Sequence, residues 1–567
     1  MSTHPPLASS TAQGDAWSAR LQQHRTLIEV IGLAVAVLVF LVSVLPNLTN
    51  HPPLTDDEAW VMSASFKLAR DGVFGSDMFA GFFNADSHYF FNMPGHHVAI
   101  AAAFKLLGAG IAQARLVGVV YGIATLVLTY LLARRAGGVP AGLLAIALLL
   151  CLRLGMGFDT GLPLSEHASN MRYDLAPVPF MLGGTLLLLG RSSLLRALIA
   201  GALFGVAILM QFYGAFIVPV AMAFLWLESL PARRRLQLIG ALVGATVLVC
   251  LPYGLYILSD YDDFKGQAGT IDRRADFTDP SFYIDNLVDE VNRVNRPVAL
   301  PFLFDEVPAG KDVFVDEAET VGLEALFRRP SAKLGILVGL PMALAFLAHR
   351  TFRDHDRTHR LLFLALTGLV AQYALLESTK FYFYWIPVVP FLCIGIAAAL
   401  CRVLDPRSWT TAPRLALAGV VALSLLVVAG EGNAARLGGL RTARAATSYA
   451  SVADAVHAQV PAGSRVVGAT SLWWGLRDTE YRSYFLFFYL TRADAGPYRS
   501  TISEFIDDFD AEYIVLTRVA DTELTNKLSP RDLADWQSFL ATRTTKITRI
   551  ERPLAGPYGY IDIYRVQ

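Results

Sequence analysis

Charge is scarce in this chain: Asp, Glu, Lys and Arg make up only 17% of the 567 residues, where soluble domains carry about 25%. With 54% apolar residues and a mean hydropathy of +0.44, a soluble multidomain enzyme and a disordered chain are both excluded. Cysteine is scarcer still. Cys151, Cys250, Cys393 and Cys401 all lie in or at the ends of apolar runs, which excludes a secreted disulfide scaffold and reads as packing of small buried hydrophobes. No Cys/His spacing has the form of a zinc site. There is no excess of either charge, with 48 basic and 48 acidic residues and a pI near 7.2, so the chain offers no general electrostatic case for binding nucleic acid. A P-loop is missing, as is a G-x-G-x-x-G opening a helix after a strand, so machinery for nucleotide hydrolysis is not visible. No A-x-A site follows the apolar run Leu27–Leu45, and that run reads as an uncleaved first span.

Apolar runs of about 20 residues, each able to cross ~30 Å of hydrocarbon, recur along the chain. Eleven spans are expected, near 27–45, 111–133, 139–157, 174–190, 194–210, 213–228, 236–258, 333–348, 360–376, 381–401 and 413–430. Placing the tail 1–26 in the cytoplasm puts Arg134-Arg135, Arg191 and Arg196, Arg233-Arg234-Arg235, the run His349 to Arg360, and Arg402, Arg407 and Arg414 in inside loops. Those loops are short and basic, as the positive-inside rule requires. The segments then outside are acidic: Asp56-Asp57-Glu58, Asp260 to Asp263, and Asp316 to Glu319. A full span at 96–107 would reverse every later loop, so His96 to Leu107 is expected to be an amphipathic or re-entrant segment at the outer surface. The organisation is thus a transmembrane domain over 27–430 with outer loops 46–110 and 259–332, the second with local helices, followed by an extracytoplasmic α/β domain over 431–567. That last domain is suggested by a helix-like Arg444 to Val460, strands at Arg465 to Ala469 and Tyr513 to Thr517, a helix at Asp532 to Thr542 and a strand at Ile561 to Val566.

Charged groups at a membrane boundary are costly and need a reason. Directly after the first span come Thr55, Asp56, Asp57 and Glu58. Adjacent carboxylates repel and need a cation, a hydrogen-bond network or a proton to coexist. They suit a general base or a divalent-metal site; equally, they suit a helix start, with Thr55 or Asp56 as cap and an amphipathic helix running to Arg70. A second cluster holds Glu166, His167, Arg172 and Asp174. Arg172 fits an anionic group, and the pair Arg172–Asp174 fits a helix anchor as well. A third runs from Glu377 through Lys380 to Tyr382 and Tyr384: Lys380 suits a phosphate with tyrosines donating to it, or the segment is an aromatic belt with a snorkelling lysine. His88, His96 and His97 surround Asn92-Met93-Pro94-Gly95 without a recognised metal spacing. Arg293 and Arg296 suit an anionic lipid or a solvated loop.

In order along the chain, these features resemble the multispanning C-type glycosyltransferases that use polyprenyl-phosphate sugars. The nearest broad group is the protein O-mannosyltransferase, lipid A aminoarabinose transferase and rhizobial galacturonosyltransferase-like set. The resemblance rests on Asp57-Glu58 after the first span, Ala69-Arg70-Asp71-Gly72, Met93-Pro94-Gly95 before the surface segment, and Ala114-Arg115-Leu116 opening a span that ends in Ala133-Arg134-Arg135. Arg172 and Asp174 stand where relatives carry polar residues ahead of a span, and Lys380, Tyr382, Pro387 and Pro390 are similar to the late Lys/Tyr/Pro pattern. One departure stands out: Asn92-Met93-Pro94 replaces the Lys-Pro-Pro of several aminoarabinose-transferase relatives, so Lys380 or Arg172 would have to meet the lipid phosphate.

The resemblance implies an α-helical polytopic membrane protein of C-type glycosyltransferase fold. It would move a single sugar from a polyprenyl-phosphate donor to a lipid, glycan or protein acceptor on the extracytoplasmic side of a bacterial inner membrane or an equivalent bilayer. Asp57 would be the catalytic carboxylate, Asp56, Glu58 and Asp174 supporting acidic or metal-binding groups, and Arg172, Lys380 and Tyr382 the donor-phosphate site; Glu166, His167, His96, His97, Arg293 and Arg296 are further candidates. No cofactor is implied beyond a divalent metal ion, with the lipid-linked sugar a substrate. The competing readings are a lipid-linked oligosaccharide ligase or polymerase, and a flippase or transporter; against transport, the charges cluster outside rather than at mid-membrane and no inverted repeat is evident.

Overall fold

A computed structural model describes residues 10–154, 160–272, 277–298, 329–404, 412–492 and 495–567, with side chains except at 10–25, 270–272, 292, 294–298 and 382. Each of the eleven apolar runs coincides with helix over most of its described residues, and 155–157 lie outside them. Thr26–Val44, Ala232–Ser259, Pro330–Phe352 and Arg357–Leu376 are long and apolar enough to cross a membrane. Tyr173–Leu188, Leu194–Met210, Phe212–Trp226 and Val389–Val403 are shorter apolar helices packed among them. The 41 residues Ile111–Cys151 would make a rod of about 60 Å if straight. Instead the chain turns at Gly137 and Gly138, where Gly138 takes φ 77°, a backbone conformation open mainly to glycine. A Cβ on Gly142 would lie 2.7 Å from the Tyr130 ring, so the second half folds back on the first as an antiparallel pair.

One end of the bundle gathers the basic turns. Glu228 accepts from Arg357 Nε at 3.0 Å and Arg360 Nη2 at 2.7 Å, while Arg357 also donates to the carbonyls of Leu188, Leu189 and Gly190. Three of the loops that the charge pattern assigns to one side therefore do meet at one end. Arg407 and the acidic stretch Asp316 to Glu319 lie outside the described residues.

The opposite end carries the helices Asp56–Asp71, Pro94–Leu107, Pro163–Ser169, Tyr261–Asp272 and Pro280–Val298. Pro94–Leu107 is 14 residues long and starts with proline at its first turn, where a missing N–H costs nothing. Its length fits the expected surface segment rather than a span. The last apolar helix, Ala412–Ala445, runs through 431 before the chain leaves the bundle. The helix expected over Arg444 to Val460 is instead the end of this one plus a separate helix, Tyr449–His457. Ser448 caps the second, its side chain accepting from Ser451 N–H.

Beyond it lies a five-stranded mixed sheet: β1 (Arg465–Gly468), β2 (Glu480–Ser483), β3 (Tyr513–Thr517), β4 (Thr544–Ile550) and β5 (Ile561–Val566), in the order β2-β1-β3-β5-β4. β1 runs parallel to β2 and β3, and β5 antiparallel to β3 and β4. β2 and β4 carry no apolar run because both are edge strands, and a mostly polar, charged edge is a usual defence against further pairing. The sheet domain does not stand apart. Val61, Met62, Phe79, Tyr89 and Ile100 of the first loop share one apolar core with Trp473, Trp474, Leu486, Phe487 and Ile514, while a second core fills the helical bundle.

Candidate active site

The sequence Thr55-Asp56-Asp57-Glu58 starts a helix through a capping box: Thr55 accepts from Glu58 N–H, and Glu58 reaches back to Thr55 N–H at 3.1 Å. Once the helix begins, successive side chains are rotated by about 100°, so the three carboxylates leave it in three directions.

Glu58 turns inward and is fully buried with Arg115. Arg115 Nε and Nη2 donate to its two oxygens at 2.9 Å each, Arg115 Nη1 donates to Leu48 O, and Met171 N–H donates to Glu58 Oε1 at 3.0 Å. With every acceptor direction used, Glu58 is a joint between the first loop, the Ile111 helix and the segment before Arg172. It is not placed as a supporting metal ligand. Asp56 turns toward the sheet domain, where Ser471 N–H donates to it and Tyr484 Oη lies 3.0 Å from its Oδ2; it too faces away from Asp57's surroundings.

Asp57 alone of the three remains open, 53% exposed. Arg172 Nη1 donates to its Oδ2 at 2.5 Å, and Arg172 Nε donates to Asp174 Oδ2 at 2.8 Å. Arg172 is 9% exposed, with its guanidinium 4.0 Å above the Phe383 ring. Stacking fixes the plane of the guanidinium, leaving Nη2 with no partner among the described residues. Asp174 is buried, and its Oδ1 has no hydrogen-bond partner among them either. The close approach that brings Arg172 under Asp57 needs Gly118: a Cβ there would sit 2.7 Å from Ala168 O and 3.1 Å from Asn170 O.

Lys380 lies near but does not open onto this pair. Its Nζ donates to Ala374 O at 2.8 Å and sits 3.2 Å from Glu290, closing the last turn of Arg357–Leu376 rather than waiting for a phosphate. Arg293, expected in a solvated loop or on lipid, is buried: it donates to Glu377 Oε2 at 2.5 Å, to Phe381 O at 2.9 Å and to Glu290 at 3.1 Å. Two cations and two carboxylates thus tie helix Pro280–Val298 to the Glu377–Phe381 corner. Lys380→Ala is expected to cost about 1–3 kcal/mol through the bonds it leaves unmade, read as a lower melting temperature. The donor KM should change less than in Arg172→Ala. The side chains of Tyr382 and Arg296 lie outside the described residues.

The remaining candidates with described side chains are bonded to the backbone. Glu166 accepts from Thr160 and Gly161 N–H at 2.7 and 2.6 Å and so holds the turn before its own helix. His167 Nδ1 is bonded to Pro163 O, and burial lowers its pKa. His96 Nε2 meets Met171 O at 2.8 Å and His97 Nδ1 meets Ser65 and Val61 O. Burial lowers these two imidazoles to about 4 and about 3, His97 further through His96, so both are neutral at pH 7. Among the described residues neither belongs to a group that could hold a metal ion, whereas His88 does: its Nδ1 lies with carboxylate oxygens of Asp260 and Asp263 inside 4.8 Å. The spacing along the chain hid it, because the two aspartates lie on a helix entry some 170 residues on. An ion there would join the loop Asn84–His88 to helix Tyr261–Asp272.

Sequence reasoning missed Glu290, and it named Arg115, Glu377 and Phe383 without giving them a role. Arg115 carried a usable signal, a lone charge inside an apolar helix; Glu290 did not differ from ordinary loop composition.

No family model matches the chain, and neither does any curated protein. Solved structures do. ArnT from Cupriavidus metallidurans in the apo state aligns with 95% of this chain and 97% of its own, with a TM-score of 0.59 and 18% identity. The same protein bound to undecaprenyl phosphate aligns over 95% and 98%, with a TM-score of 0.57 and 17% identity. The archaeal oligosaccharyltransferase AglB from Archaeoglobus fulgidus, in complex with an inhibitory peptide and a dolichol-phosphate, aligns over 95% of this chain and 74% of its own, with a TM-score of 0.55 and 13% identity. The helical bundle, the helices at its Asp57 end and the sheet domain packed against them therefore make up the fold that these proteins share, the C-type glycosyltransferase fold.

Proposed function

We propose that the protein is a membrane glycosyltransferase that moves one sugar from a polyprenyl-phosphate donor to an acceptor hydroxyl, with Asp57 as general base and Arg172 as the phosphate-binding cation. The observation that carries this reading is the pair itself: an open carboxylate held by a buried, ring-stacked guanidinium whose Nη2 has no partner among the described residues, at one end of a C-type bundle. The ArnT and AglB structures contain undecaprenyl phosphate and a dolichol-phosphate, and a lipid phosphate is the ligand that such an edge suits. In the reaction the acceptor O–H gives its proton to Asp57, the oxygen attacks the anomeric carbon, and the bond from that carbon to the phosphate oxygen breaks. The phosphate leaves with its electron pair toward Arg172 Nη2, so base and cation stabilise opposite charges at opposite ends of one displacement.

The same reading places the Asp57 end and the sheet domain outside the cytoplasm, in keeping with the basic turns gathered at the other end. It divides the chain into the tail 1–26, the transmembrane part and the domain after helix Ala412–Ala445. A divalent cation is taken by His88, Asp260 and Asp263 in a bracing role, since Arg172 already neutralises Asp57.

Purified protein incubated with a panel of polyprenyl-phosphate sugars and lipid, glycan and peptide acceptors tests this, with the products weighed by mass spectrometry and a chelator-treated sample run alongside. A mass increase of one sugar, retained after chelation, is the expected result. Transfer of a glycan block would replace this reading with a ligase or polymerase, and movement of lipid without a covalent product would replace it with a flippase.

A further inference from the structure

Asp56 accepts from Ser471 N–H at 2.7 Å, and its Oδ2 lies 3.0 Å from Tyr484 Oη. The same Oη lies 2.6 Å from Glu523 Oε2. Tyr484 and Glu523 are both buried. A phenol carries one proton and can donate to one carboxylate only. For both contacts to be hydrogen bonds, the second carboxyl must carry a proton of its own and donate it to the phenolic oxygen. Two ionised carboxylates facing one buried hydroxyl would leave lone pair against lone pair where the effective dielectric is low.

The neighbouring groups decide which carboxyl holds the extra proton. Lys527 Nζ lies 2.8 Å from Glu523 Oε1, which favours Glu523 ionised. Around Asp56 stand Tyr484, Glu523 and the Ser471 N–H, with Tyr481 and Tyr558 further off. On its own helix, Asp57 is paired with Arg172 and Glu58 with Arg115. No cation is among Asp56's partners within the described residues. Burial first, then Glu523, raise its carboxyl to about 6 from the ordinary 3.8.

We propose that Tyr484 and Glu523 are positioning residues for sugar transfer. Through a proton held on Asp56 they lock the sheet domain onto the first turn of helix Asp56–Asp71 and so fix the direction of Asp57. This rests on Asp57 being the base in the proposed function, but the lock itself does not depend on it. The linkage has a definite sign. The docked domain binds a proton near pH 6 that an undocked Asp56 would release near 3.8. Docking is therefore strongest below about pH 4, weakens as pH rises toward 6, and is constant well above it.

Hydrogen exchange of the full-length protein in lipid nanodiscs, over overlapping peptides that begin at least two residues before Ser471 and end on either side of it, reads the Ser471 amide. After correction for the intrinsic rate, protection is expected to fall about tenfold between pH 5 and pH 8. In Glu523→Gln the amide donates to Tyr484, Tyr484 donates to ionised Asp56, and no extra proton is needed, so this pH dependence should vanish. In Asp56→Asn the side-chain amide replaces the proton permanently, and protection should stay at its acid level throughout. Turnover at saturating donor is measured over the same range. The ratio of Glu523→Gln to wild type should rise with pH in step with the protection ratio, with donor KM unchanged. A wild-type profile without a step, or a step that persists in Glu523→Gln, overturns the lock. A step in exchange with a flat turnover ratio overturns the positioning role. Absence of any sugar transfer alongside the expected exchange step would instead remove the proposed function and leave the proton lock standing.

Discussion

Asp57→Asn is expected to lower the rate of sugar transfer by about 10²–10⁴-fold, the range that a positioned general base supplies, while the protein still inserts, folds and binds donor. The substitution keeps the shape of the side chain and its hydrogen bond to Arg172, and removes only the ability to take the acceptor's proton. Asp57 is more than half exposed and Arg172 retains Asp174, so neither a cavity nor an unpaired buried charge is created. The checks are turnover at saturating donor, donor affinity, and the melting temperature. Turnover within a few-fold of wild type would take Asp57 out of the mechanism. Loss of turnover with an equal loss of donor binding would mean that the carboxylate acts in building the phosphate site instead.

Arg115→Met is expected to produce the largest loss of stability of any single substitution near the site, about 3–5 kcal/mol, because it strands the fully buried Glu58 carboxylate. The loss should appear in thermal unfolding and in the yield of correctly inserted protein. Combining Arg115→Met with Glu58→Gln should recover part of it. The introduced carboxamide needs no counter-ion, and its single oxygen keeps an acceptor for one of the two N–H groups that meet the carboxylate on different oxygens, Thr55 on Oε2 and Met171 on Oε1; the excess of the double mutant over the sum of the singles measures the coupling of the pair. A double mutant no more stable than Arg115→Met alone would show that the arginine contributes through its bond to Leu48 O and its packing rather than by neutralising Glu58.

Both predictions concern neighbours in the sequence that do unrelated things. The acidic run after the first span was legible as a helix start, which the capping box bears out, and also as a site, which the proposed function assigns to Asp57. Thr55 and Glu58 make the capping box that a four-residue window can show, since its bonds close within one turn. In the sheet domain, β1, β3 and β5 were visible as apolar runs, whereas the edge strands β2 and β4 were not, because an edge need not be apolar. Ser448 was a cap in plain view, yet the helix read across it, since the residues on both sides favour helix. Lys380 and Arg293 read as available cations because a sequence shows a charge and not its partner. Glu290, on helix Pro280–Val298, holds Lys380, and Glu377, at the end of Arg357–Leu376, holds Arg293, so each cation has a partner distant in the chain.

By itself the sequence determined the apolar helices, the alternation of basic and acidic loops, and the start of the helix that carries Asp57. These depend on hydrocarbon thickness, the cost of moving charge across it, and hydrogen bonds between residues a few positions apart. Only the tertiary structure decided which carboxylate is open. Helical rotation sends Asp56, Asp57 and Glu58 to three partners that lie 415, 115 and 57 residues away from them along the chain. A neutralising group that distant is chosen by how the bundle and the sheet domain pack, and no local pattern encodes it.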